Sequence, residues 1–192
     1  MGWKFASLLT MACLWMSGCA SAPQLGQADT RGFDARGATV LVDYTAPKDK
    51  EATDKELVEL RDKRRDEVHR LLRSHGFRPV TSGPSAFRIR VAEGETKEMT
   101  GEWAGAIGAN LVIFTLGIVP AVFDYRSDVQ YELWSGDKRL HAIAAPAAWK
   151  EAVGLVSIAS ALSGSDAGRQ KALSGAHDSV IRLWIDQGSF DQ

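Results

Sequence analysis

The sequence predicts an α+β fold, a single domain in which helices pack on one sheet. Three observations predict it. Ala38 to Tyr44 is a β-branched run, and Phe87, Ile89 and Val91 alternate with Arg88 and Arg90. Asp124 to Trp134 alternates again, with Tyr125, Val129, Tyr131 and Leu133 on one face. Period-two alternation of this kind marks strands with one buried face. Between the first two strands, Lys48 to Ser74 carries Leu57, Leu60, Val68, Leu71 and Leu72 on one helical stripe.

Taken in order, the elements read as a β-α-β-β start, a further β-hairpin, an apolar segment and two C-terminal helices. Pro47 ends the first strand, which lacks a donor beyond it. Arg61, Lys63, Arg64, Asp66 and Glu67 cover the rest of the helix and read as a solvated face. Gly76 reads as its left-handed C-cap, with Phe77 packing just beyond. Ser82-Gly83-Pro84 is a turn. After the strand at Phe87, the polar stretch Glu93 to Thr100 predicts a hairpin around Gly94. Ser135-Gly136-Asp137 turns the chain so that Lys138 to Ile143 pairs back on the strand before it. Ala144 to Leu162 reads as an amphipathic helix after Pro146, and Ala167 to Gln187 as a last helix with Leu173, Val180, Leu183 and Trp184 inward.

Trp103 to Phe123 is an uncharged stretch with three glycines besides Pro120. Its length suits a membrane span, but Glu102 and Asp124 flank it and no basic cluster does. We expect a buried helix or apolar hairpin under the sheet, with placement at a membrane interface or across a membrane as the alternatives.

The N-terminus carries the most specific signal. Lys4 precedes an apolar, uncharged run from Phe5 to Met16, which ends in Ser17-Gly18-Cys19-Ala20. Twelve such residues suit the core of a signal peptide better than a membrane span. Small residues before the cysteine give a peptidase close access to the backbone. The run resembles the lipobox of bacterial lipoproteins, with Met16 where leucine is usual. The resemblance implies cleavage before Cys19, lipidation of its thiol and acylation of the new amine. Ala20 after the cysteine, in place of aspartate, implies the outer membrane. Secretion with cleavage after Ala20-Ser21-Ala22 is disfavoured by Pro23, and N-myristoylation by Ala6 where Ser or Thr is wanted. An uncleaved anchor is disfavoured by the run's shortness.

Residues 1–18 are thus expected to be the signal peptide, residues 19–37 the lipidated cysteine with a flexible tether, and residues 38–192 the domain. The tether could reach roughly 60 Å fully extended. The chain's two cysteines are Cys13 and Cys19, so the remaining body has no thiol for a disulfide, a metal or a nucleophile. The formal charge of −1 becomes one unit more negative without Lys4, which gives no reason to expect nucleic acid. The β-α-β-β start over residues 38–92, with the helix ending in Gly76-Phe77 and the next strand opening at Ser85-Ala86, resembles small envelope lipoproteins. These include the TolB N-terminal type and lipopolysaccharide-assembly lipoproteins, which implies an α/β body that assists other envelope components.

No catalytic pattern emerges. In Gly164-Ser165-Asp166-Ala167-Gly168 the serine stands one place too early for a nucleophile elbow. No P-loop or dinucleotide fingerprint follows a strand. His69, His75, His141 and His177 fit no ligand spacing. His177-Asp178-Ser179 cannot form a triad, because adjacent helical residues point in different directions; surface chemistry of the helix explains them better. No enzyme activity, cofactor or metal is expected. The expected role is a membrane-anchored, non-catalytic accessory that binds an envelope protein partner, with a carrier of lipid or another apolar ligand, held by residues 103–123, as the alternative.

Overall fold

The structure is a computed structural model that describes residue 30 and residues 32–47, 52–115, 118–153 and 167–191. The signal-like run and Cys19 lie outside the described residues.

The fold is α+β. Five strands form one sheet in the order β2-β1-β3-β4-β5. These are β1 (Thr39–Thr45), β2 (Arg78–Val80), β3 (Phe87–Glu98), β4 (Ala121–Ser135) and β5 (Lys138–Val153). β1 lies parallel to both β2 and β3, whereas β3-β4-β5 is antiparallel. Helices α1 (Asp54–Ser74) and α3 (Ala167–Asp186) cover one face and touch each other. Helix α2 (Glu102–Phe114) lies in the connection from β3 to β4.

The core sits between the sheet and the α1–α3 layer. Val40, Val42, Phe87, Ile89, Val91, Val129 and Leu133 rise from the sheet, and Val68, Leu71, Leu72, Leu173, Val180 and Trp184 descend on them. Each large side chain so buried contributes roughly 1.5–3 kcal/mol. The opposite face is polar. There Asp43, Arg88, Arg90, Glu132 and Arg139 form a ladder of ion pairs, with the Arg90 guanidinium 4.9 Å from the Trp134 ring centre.

Helix α1 starts at a capping box absent from the sequence reading. The Thr53 hydroxyl accepts from the Glu56 amide, and the Glu56 carboxylate accepts from the Thr53 amide at 2.8 Å. Its end is the expected one. Gly76 has φ +84°, Gly76 N–H donates to Arg73 O and Phe77 N–H to Leu72 O, a Schellman closure. Phe77 then packs beside Phe33 and Phe190, at 5.5 and 4.6 Å between ring centres. Phe33 and Ala35, in the stretch read as tether, are thereby part of the packing.

Three elements differ from the sequence reading. Gly94 is a bulge inside one long strand and not a hairpin turn: the β3–β4 register shifts between Glu93 and Thr96. A Cβ there would stand 2.7 Å from Asp128 O, so the neighbouring backbone requires glycine. The residues after Pro146 continue β5 to Val153 instead of starting a helix, so one C-terminal helix, not two, stands among the described residues. Alanine favours helix intrinsically, but Ile143, Ala145, Ala147 and Trp149 fall on one face in period two against β4. Pro146 is tolerated because β5 is an edge strand. Finally, the apolar stretch does not lie under the sheet. Helix α2 has no buried residue.

Candidate functional site

Two features stand out: an exposed apolar helix and a buried polar network.

Helix α2 is attached by a narrow seam. Gly105, Gly108 and Val112 are its half-buried positions. A Cβ on Gly108 would sit 3.0 Å from the Ala121 Cβ, and one on Gly105 would sit 3.9 Å from the Phe123 ring. Glycine lets the helix backbone lie directly on β4. The Thr115 hydroxyl donates to Leu111 O at 2.6 Å and accepts from the Val119 amide, closing the helix end. Every other position of α2 is exposed, and most are apolar. Trp103 and Phe114 are 84% and 85% exposed, with Ile107, Leu111 and Ile113 between them. Met99, Ile118, Val119, Val122 and Val153 extend the apolar surface around the same end of the sheet. A contiguous patch of this kind marks an interaction surface.

These described side chains of the 103–123 stretch face solvent rather than the interior of the domain. No helix among the described residues is long and apolar enough to cross a membrane. Leu116, within the same stretch, lies outside the described residues.

The buried network gathers side chains from five elements. Glu93, on the inner face of β3, accepts from the Tyr44 hydroxyl of β1 at 2.8 Å and from Arg169 of α3 at 2.7 Å. Arg64 of α1 faces the same carboxylate at 3.8 Å. Glu93 and Arg64 are 5% and 4% exposed, so the carboxylate meets these guanidinium groups in a place that water barely reaches. Beside it, the Tyr131 hydroxyl and His177 Nδ1 are 2.7 Å apart. Burial pushes both tyrosine hydroxyls far above their ordinary range, and the Glu93 carboxylate adds to it. Burial, with the charge of Arg64, pushes His177 down to about 4. His177 is therefore neutral near pH 7, and Tyr131 as donor places the ring proton on Nε2. Raised tyrosines and a neutral, enclosed histidine serve packing here; none is poised as a base or nucleophile on an open surface.

The structure separates the residues of the tempting triple. His177 points to Tyr131, whereas Asp178 pairs with His75 at 2.9 Å and with Arg182 at 2.6 Å. Adjacent helical residues thus diverge as expected. His177 is nevertheless in the core and not on the helix surface, as is Arg64, which was read on a solvated face. His141 bonds the Ser189 hydroxyl. Among the described residues no group of His, Cys, Asp or Glu is arranged to hold a metal ion.

The fold and this surface define a small mixed α+β domain that presents a mostly apolar helix at one end of its sheet. No protein-family model matches the sequence. No curated protein matches it either. Among solved structures, a minor lipoprotein from Acinetobacter baumannii aligns with a TM-score of 0.49 and 10% identity, over 80% of this chain and 93% of that one. The rare lipoprotein B from Shewanella oneidensis aligns with a TM-score of 0.46 and 8% identity, over 80% and 99%. Both are bacterial lipoproteins; at these scores and identities the likeness assigns no residue and no activity to this chain.

Proposed function

We propose that the protein is a bacterial lipoprotein, cut before Cys19 and acylated there, which binds another envelope component without catalysis. The observation that carries the binding role is α2, an apolar helix held on the sheet by two glycines with its large side chains in solvent. Leaving Trp103, Ile107 and Phe114 wet costs several times roughly 1.5–3 kcal/mol relative to burial, which a partner would recover. The anchoring role rests on the string Ser17-Gly18-Cys19 behind its apolar run. One acyl chain holds a protein marginally, and several hold it firmly. The residue after the cysteine, Ala20, favours the outer membrane, with the domain facing the periplasm.

The test expresses the full chain and its Cys19→Ser variant. The wild type should sediment with outer membranes and, after mild detergent, migrate larger than the free chain. Cys19→Ser should be released or stay uncleaved. Normal processing and unchanged sedimentation of Cys19→Ser would refute the anchor. Migration of the wild type as a free chain would refute the binding role.

A further inference from the structure

The two ends of the sheet are occupied differently. Residues 33–35 pack at the end where β3 begins, since Phe33 meets Phe77 and Phe190, and Phe190 meets Phe87. Helix α2 sits where β3 ends and β4 begins, against Ala121 and Phe123. β3 has 12 residues, so the two ends lie about 36 Å apart at about 3.3 Å per residue. From Cys19 to Phe33 the chain can span at most about 48 Å, and only if fully drawn out. A chain of that length has an unstretched end-to-end distance of about 20 Å. With that slack the domain can stand with α2 turned away from the bilayer that a lipid on Cys19 would enter.

The shape and charge of α2 narrow its occupant. Trp103, Ile107, Asn110 and Phe114 recur at spacings of four, three and four, which lines them along one outer crest. Leu111 and Ile113 flank that crest on either side. Such spacing is how an amphipathic helix seats in a groove, with bulky anchors entering pockets. The two aromatic anchors stand about 16 Å apart along the axis. Near the Trp103 end the cations Lys97, Arg126 and Lys150 each pair with a carboxylate, Asp128 or Asp124. Glu98 and Glu102 are exposed and in no ion pair among the described residues. From Trp103 to Phe123 there is no basic residue to attract an anionic bilayer. A second copy meeting helix to helix would cover one flank of an element about 20 Å long. That falls short of the roughly 800 Å² per partner of a stable interface, whereas a groove covers both flanks.

We propose that α2 is a docking helix for an apolar groove on another protein, a groove basic at the rim that receives Trp103. This rests on the binding role proposed above and specifies its surface.

The test uses the full, lipidated chain in its native membranes. The photo-crosslinker benzoylphenylalanine replaces Trp103, Ile107 or Phe114 in turn, and Arg88 on the opposite sheet face as control. The expected result is an adduct with a different polypeptide from the three crest positions and none from Arg88. Glu102→Lys should cut that adduct several-fold, and Glu102→Asp should not. In parallel, the purified lipidated chain is incorporated into vesicles of phosphatidylethanolamine and phosphatidylglycerol containing brominated acyl chains, where Trp103→Phe should change fluorescence quenching little. An adduct with phospholipid, or quenching lost in Trp103→Phe, would overturn the proposal in favour of the bilayer. An adduct of twice the chain's mass would overturn it in favour of a second copy, and no crest adduct would overturn it outright. If a larger complex persists in mild detergent while the crest gives no adduct, the binding role stands and only the docking helix fails.

Discussion

Glu93 and His177 are where single side chains decide most. Glu93 has a carboxylate enclosed by Tyr44, Arg64 and Arg169. Removing one member of a buried charged set strands the others, at a cost of about 3–5 kcal/mol. Glu93→Ala should therefore lower the unfolding free energy by about that amount in urea melts, while Arg88→Ala on the solvent face changes it by less than about 0.5 kcal/mol. His177 predicts a pH dependence. Its folded value, about 4, lies below the ordinary 6.5, so the unfolded chain takes up the proton first as pH falls. Stability is then full above pH 6.5 and declines as pH drops toward 4. The loss across that window is on the order of 3 kcal/mol. Glu67, held down to about 2 chiefly by its bond from Arg70, loses its share only at lower pH. The urea midpoint should fall between pH 6.5 and 4 in the wild type and less steeply in His177→Asn, where His69, also lowered by burial, keeps part of the slope; parallel slopes in both proteins would show that His177 contributes nothing there. None of this network was legible in the sequence. Its members lie far apart in the chain, and a helical arginine such as Arg64 looks the same whether it meets water or a buried carboxylate.

At the level of elements, legibility followed the source of the signal. β1, the first half of β3, β4 and the Gly76 cap were readable because each is fixed locally, by alternation against one covered face or by a backbone that needs positive φ. β5 beyond Ile143 was misread because its pairing with β4 outweighs the helical preference of its alanines, and that pairing is a long-range fact. The small side chains at Ala145 and Ala147 let α3 lie close on this strand, which contacts it. Helix α2 was misplaced for a related reason: apolar composition says that a surface wants cover, but not whether the same chain supplies it. Two variants separate the seam from the crest. Gly108→Leu puts bulk where even a Cβ meets Ala121 at 3.0 Å, so α2 should lift from β4 and its amides exchange much faster. The body should stay folded, because α2 buries no side chain. Ile113→Glu should leave the melting temperature within a degree or two, since Ile113 is 69% exposed. A large drop in stability for Ile113→Glu would mean that α2 belongs to the core after all.

Across the whole molecule the chain order of the core matters. The sheet's inner face is laid down from Val40 to Trp149, yet its cover is incomplete until Leu173, His177, Val180 and Trp184 arrive on α3. Many of the contacts are long-range in sequence, so most of the burial must wait for distant segments. A chain ending at Val153 should stay expanded and protease-sensitive, and adding α3 as a separate peptide should restore protection if the remainder retains its native tendency. Full protease resistance of the shortened chain would show that α1 and the sheet suffice. For a protein made as proposed here, late closure has a use in biogenesis. On the proposed export route, the nascent polypeptide carries its β1, α1 and β3 segments before the helix that completes their cover. It can thus be threaded through a narrow export channel without first being unfolded, and collapse only when the last helix has crossed.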